Sequence, residues 1–242
     1  MRFAARKGPR ALPRGSSMSG ARRLAVISPH LDDGVLGCGQ LLAARPGAVV
    51  VTLFAGRPDP RAPLTPWDAA AGFRAGDDVV GTRRAEDAAA LRALGARPAW
   101  LDHRDAQYGG AAPAETLARC LAQALEAAAP DVVAAPLGLF HSDHLRAREA
   151  ALLARERSCV EARWLLYADG AYAALPGAVR GALAELRARG VALRRARLAG
   201  GPLARKRRAV ACYASQVRAL ATPGRLGVAP ALRPERYWWI EP

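Results

Sequence analysis

Short apolar, strand-like runs alternate with longer helix-like stretches along almost the whole chain, and this alternation admits few folds. It is the pattern of an α/β protein, a mostly parallel sheet with helices on its faces. LAVIS (24–28) reads as the first strand, and a helix begins at Gly34 in GVLGCGQLLAA. AVVVTLFAG (48–56) reads as a second strand, of the continuously apolar kind that is covered on both faces. Residues 57–78 form a long Pro-, Gly- and Asp-rich loop, and a loop that long in a compact domain is usually functional. A helix is expected over 82–96 with Gly95 near its end, a strand over 98–102 and a helix over 114–129. Strands over 131–138 and 163–170 flank a loop that turns into a helix after Leu139. The last third reads as a helix over 176–189, a strand over 191–199, a helix over 202–221 and a closing RYWWIEP.

The chain's 242 residues suit a single domain, and no Gly/Ser/Pro linker divides them after residue 20. Residues 1–20 are expected to be a basic tail or an over-called start, and 21–242 a single folded domain. No apolar run approaches the ~18–20 residues that span a bilayer. The amino terminus lacks the apolar segment of a secretory signal. Four widely spaced cysteines make neither a zinc finger nor a disulfide framework, so a reducing cytoplasm is the expected setting. The net charge of +15 raises nucleic acid as a partner. Two things weigh against it. The basic residues are almost all Arg in an Ala-rich chain, the usage of a GC-rich coding sequence, and many sit beside acids on helices. Arg194–Arg195–Arg197 and Arg205–Lys206–Arg207–Arg208 remain as basic clusters.

Three of the four histidines stand at strand ends beside aspartates: His30 in HLDD after the first strand, and His141 and His144 in HSDH after the fourth. Open α/β sheets place ligands beyond the carboxyl ends of their strands, so clusters about a hundred residues apart can converge there. Two imidazoles and a carboxylate, with a position left for water, form a common catalytic zinc set. His30 and Asp33, three apart at a helix start, can face one point, and His144 can supply a third ligand. A cation there would account for charged groups in a place where desolvation is expensive. Asp32 is then placed as general base. His141 is placed to donate to an oxyanion or to the leaving amine, with Asp143 orienting it and raising its pKa.

SPHLDDGVLGCG and HSDH resemble the paired P-H-x-D-D and H-x-D-H motifs of the PIG-L/LmbE-like zinc-dependent N-deacetylases. RRAEDAAALRALGA, LDHRDAQYG, KRRAVACYASQ and PERYWWIEP extend the likeness over residues 24–242. The resemblance implies a Rossmann-like fold and hydrolysis of an acetamide on an amino sugar or its conjugate, with release of acetate. It implies His30, Asp33 and His144 as ligands of Zn2+, with Fe2+ the other candidate, and Asp32 as base. It also places Arg83 and Asp105 at positions that touch the sugar in relatives. Leu31 and Gly34 depart from the P-H-P-D-D-E form without removing a ligand. Some members carry an oxyanion-binding Tyr where this chain has Leu139, a role that would pass to His141 and the metal, or to Tyr108 or Tyr213. Trp67, in the long loop, is a candidate to stack on the sugar or its aglycone.

Two other functions compete: a metal-dependent amidase of a thiol-sugar or natural-product amide, and a nucleic-acid-binding protein with a relic site. The glycines of GVLGCG do not follow the dinucleotide-loop order, and the charges before them would repel a pyrophosphate. They are expected to serve the turn into the helix. The sequence is also compatible with a homo-oligomer.

Overall fold

In the computed structural model, residues 23–242 are described, and the expected tail of residues 1–20 lies outside them. The apolar runs become strands Leu24–Ser28 (β1), Val49–Thr52 (β2), Arg97–Trp100 (β3), Val132–Pro136 (β4) and Arg163–Tyr167 (β5). Leu193–Ala196 (β6) and Tyr237–Ile240 (β7) complete one seven-stranded sheet, ordered β3-β2-β1-β4-β5-β7-β6. The first five strands in that order pair in parallel. The closing RYWWIEP supplies β7, which slots antiparallel between β5 and β6.

The strand order reverses direction between β1 and β4, so their carboxyl ends open the crevice where α/β sheets bind ligands. Helices Asp33–Ala43 (α1), Val79–Leu94 (α3) and Leu203–Ala211 (α7) cover one face. Leu41, Leu91 and Val210 pack there against Val26 and Val50. Ala114–Ala128 (α4), Ser142–Arg157 (α5) and Ala178–Ala188 (α6) cover the other face through Leu121, Ala150 and Leu186. Pro66–Ala70 (α2) and Ala214–Leu220 (α8) complete the α-helices of the described residues.

Three expectations change. The 57–78 loop contains α2, which Thr65 starts by accepting the Asp68 N–H. The helix expected over 202–221 breaks at Cys212 and Tyr213, separating α7 from α8. The break lets the Tyr213 hydroxyl reach Asp87 at 2.7 Å, while Ser215 donates twice to Glu86, so both halves dock on α3. The glycines of GVLGCG lie inside α1 rather than in the turn before it. A Cβ at Gly34 would come within 3.0 Å of Val50, and one at Gly37 within 2.5 Å of the Tyr167 ring. Their helical cost is offset by close packing of α1 on the sheet.

The basic clusters are largely absorbed by the fold. Lys206 is fully buried, Arg194 pairs with Glu241, Arg195 lies over Trp238, and Arg205 donates to the carbonyls of Ala43 and Ala93. No helix of the described residues is long and apolar enough to cross a membrane.

Candidate active site

The turn from β1 into α1 is built by its own polar side chains. Ser28 Oγ accepts the Gly34 N–H at 2.7 Å and donates to the His30 carbonyl at 2.6 Å. Asp33 Oδ2 accepts the His30 N–H at 3.0 Å and lies 3.0 Å from His30 Nδ1. The proline before His30 and the tight turn after it therefore aim imidazole and carboxylate at one point.

The second cluster arrives from β4. His141 is the N-cap of α5, its Nδ1 accepting the Asp143 N–H at 3.2 Å, and His144 is carried on the first helical turn. His144 Nε2 reaches Asp33 Oδ2 at 3.1 Å, and its Nδ1 meets Asp169 Oδ1 at 2.7 Å. Asp169, just beyond β5, was missed by sequence reasoning. The available signal was a further carboxylate placed, like the other clusters, at the carboxyl end of a strand.

Asp143 is present in the site but faces a different histidine from the one expected. Its Oδ2 lies 3.0 Å from His30 Nε2 and accepts the Ala106 N–H at 3.0 Å, and Arg146 pairs with its other oxygen. His141 Nδ1 is 3.9 Å away. The expectation that Asp143 orients His141 and raises its pKa is therefore corrected: burial and the charges of His30 and His144 lower the His141 pKa. The carboxylate is instead spent on His30.

These contacts set the protonation of the buried groups. Burial works against charging His30, but Asp143 and Asp33 outweigh it and raise its pKa to about 9. His144 is likewise raised to about 10 against burial, by the charge of Asp33 and the hydrogen bond to Asp169. Burial opposes ionisation of Asp33 too, yet His144 and His30 hold it well below the usual carboxylate range. Asp32 is pushed up to about 7 by burial and by the Asp33 charge, with Arg83 opposing.

His30, Asp32, Asp33, His141, Asp143 and His144 all line one cavity of about 260 Å³, along with Arg83, Asp105 and Trp67. Trp67 is held by its indole N–H on Gln216 Oε1 at 2.9 Å, with Arg225 over its ring. Two expectations fail here. Tyr108 does not line the cavity; its hydroxyl donates to Asp68 at 2.9 Å. Tyr213 is buried against Asp87, so neither replaces the tyrosine absent at Leu139, itself a core residue. Tyr172, which the sequence did not single out, does line the cavity, with its ring edge-on to His144 at 5.1 Å.

The donor chemistry fits a divalent cation. One nitrogen each of His30 and His144 and a carboxylate oxygen of Asp33 lie within 4.8 Å of one another. Behind each ring, the other nitrogen is held by a carboxylate, Asp143 for His30 and Asp169 for His144. That carboxylate–histidine backing is the usual support of a metal-ligating imidazole. His30, His141 and Asp143 form a second such group, but the Asp143 amide already occupies His141 Nδ1.

A mostly parallel sheet with imidazoles and carboxylates gathered at its switch point is an α/β arrangement suited to metal-assisted hydrolysis. Residues 25–155 match the family described as PIG-L, GlcNAc-PI de-N-acetylase, and the chain belongs to that family of N-deacetylases. Among solved structures it is similar to the A40926 pseudoaglycone deacetylase Dbv21, at 26% identity and TM-score 0.67 over 91% of this chain and 97% of that one. It is also similar to a triple mutant of a deacetylase of the teicoplanin biosynthetic pathway, Orf2*T, at 26% identity and TM-score 0.72 over 90% and 97% of the two chains. The 4-carboxy-2-hydroxymuconate hydratase GalB, at 17% identity and TM-score 0.55 over 91% and 97%, shares the fold alone. No curated protein matches the chain.

Proposed function

We propose that this protein removes the N-acetyl group from an amino-sugar glycoconjugate in the cytoplasm, with Zn2+ as its native metal and Fe2+ as the other candidate. The observation that carries the reading is the convergence of His30, Asp33 and His144 on one cavity, both rings backed by carboxylates. Likeness to deacetylases named for A40926 pseudoaglycone and the teicoplanin pathway supports a glycoconjugate over a free sugar. Four free cysteines suit a reducing compartment.

His30, Asp33 and His144 would hold the cation. When bound, a divalent cation acidifies water and polarises an amide carbonyl. Asp32 lines the cavity, and its carboxylate has no hydrogen-bond partner among the described residues, which leaves it free to take the proton of the attacking water. His141 spends Nδ1 on the Asp143 amide, so in the neutral ring the proton sits on Nε2. That N–H can donate a hydrogen bond to the amide oxygen, while the proton that Asp32 takes from the water passes on to the leaving amine. Tyr172 supplies the hydroxyl that Leu139 cannot, because it faces the same cavity. Arg83 and Asp105 bind sugar hydroxyls. Asp105 already holds the Tyr108 and Gln107 N–H groups, whereas Arg83 Nε is buried without a partner. Trp67 forms the wall against which the sugar packs.

The test is metal analysis of the purified protein followed by acetate release from N-acetyl-amino sugars and their glycosides. Asp32→Asn should retain metal and lose about 10²–10⁴ in turnover, while His144→Ala should lose the metal. A metal-replete protein inactive on every acetamide would sink the proposal, and equal metal loss in both variants would show that the base and ligand roles are misassigned.

A further inference from the structure

Immediately before His141 the backbone does something unusual. The His141 N–H donates to the Leu139 carbonyl at 2.7 Å, which closes a three-residue turn around Phe140 at φ +64°. A turn of that kind with positive φ at its centre is rare and strained, the more so for a bulky residue. Glycine would take the conformation without a clashing Cβ. The chain places phenylalanine there instead and leaves it 75% exposed, far more than any other large apolar residue described. Strain and exposed apolar surface thus coincide at one position, and the turn itself needs neither the ring nor its size.

Among the described residues the ring has one aromatic neighbour. Its centroid is 5.4 Å from that of Tyr172, at an interplanar angle of 35°, and Tyr172 lines the cavity. The cavity's volume of about 260 Å³ falls below the usual range for ligand sites, roughly 300–1,000 Å³. It has room for little more than one sugar, so whatever that sugar carries must lie outside. The Phe140–Tyr172 step is the apolar surface waiting there. We propose that Phe140 is a specificity-determining residue that packs against an apolar aglycone, aryl or alkyl, on the amino sugar. This rests on the deacetylase reading and adds that the preferred substrate is an apolar glycoside rather than the free sugar.

The experiment measures, by calorimetry on the metal-loaded protein, binding of the methyl, cyclohexyl and phenyl glycosides of glucosamine, which carry no scissile amide. Wild type should bind the phenyl or cyclohexyl glycoside about tenfold more tightly than the methyl glycoside, the equivalent of covering roughly 50 Å² of apolar surface. A phenyl preference alone would assign an aryl aglycone; equal preference for both rings would assign apolar area. Phe140→Gly should reduce that ratio to about one without lowering Tm, and Phe140→Trp should preserve it. A ratio unchanged by Phe140→Gly overturns the proposal. So does uniform weakening across the three glycosides, which would show that Phe140 only holds the turn before His141. Acetate release from N-acetyl-amino sugars, with no binding preference among the three glycosides, would sink this inference alone. Absence of both binding and acetate release would sink the deacetylase reading with it.

Discussion

Replacing Lys206 by Met tests how the helix that carries Asp33 is held together. In a regular helix the Gln40 N–H would donate to the Leu36 carbonyl. In α1 the backbone leaves helical geometry at Cys38 (φ −130°, ψ 15°), and the two groups part. The Leu36 carbonyl takes a hydrogen bond from Lys206 Nζ at 2.8 Å, while the Gln40 and Leu41 N–H groups donate to Glu235 at 2.8 and 3.1 Å. Lys206 Nζ and Glu235 Oε1 close the circuit at 2.7 Å, with Lys206 fully buried. A buried ion pair is thus inserted across the broken helix ladder, which is one of the known causes of a helix kink.

Removing one partner of a buried pair destabilises by about 3–5 kcal/mol. Glu235 would keep its two N–H donors and the Tyr237 hydroxyl, so the lower end of that range applies. For a domain of this size about 3 kcal/mol corresponds to a fall of roughly 6–12 °C in Tm. Urea unfolding and calorimetry of Lys206→Met, Glu235→Gln and the double variant give the coupling energy, expected at about 1–3 kcal/mol because the two residues touch. A Lys206→Met protein melting within about 2 °C of wild type would show that the pair contributes nothing net and that packing alone holds the kink.

Asp169→Asn should weaken metal binding about 10–100-fold, in line with losing a charge-assisted hydrogen bond behind a ligating histidine. Competition with a chromophoric chelator reads this directly, and an unchanged affinity would mean His144 needs no carboxylate to hold its orientation. The Arg148 and Arg189 cluster makes a pH prediction. Hydrogen bonds from Arg189 and then Arg148 lower the Glu149 pKa, and Arg148 chiefly lowers that of Glu185. Carboxyls held below their unfolded values stabilise fully above the ordinary Glu range and lose that contribution as pH falls through the folded value. Denaturation of wild type and Arg189→Ala at about pH 6 and about pH 3 should therefore show a difference at the higher pH that shrinks at the lower. A difference independent of pH would mean that Arg189 acts through packing alone.

What the sequence made legible was whatever depends on local pattern. Apolar runs located the strands of the parallel half to within a few residues. Two rare, paired motifs at strand ends announced that His30, Asp33 and His144 would meet, because position at a strand's carboxyl end carries three-dimensional information. Pairing within the site did not follow from adjacency. Asp143 stands two residues from His141 yet serves His30, because the first turn of α5 directs its side chain towards β1. Asp169 stands 25 residues from the histidine it holds. The same limit hid the break between α7 and α8, which exists because Tyr213 and Ser215 find Asp87 and Glu86 on α3. It also hid β7, whose antiparallel place depends on pairing with β5 and β6. Phe140 is the instructive case. Its sequence neighbourhood marks it as nothing more than the residue before a histidine motif, and only a positive φ and an uncovered ring reveal it. Local patterning here encodes the chemistry of the site, whereas the features that would select among substrates depend on tertiary geometry and on strain.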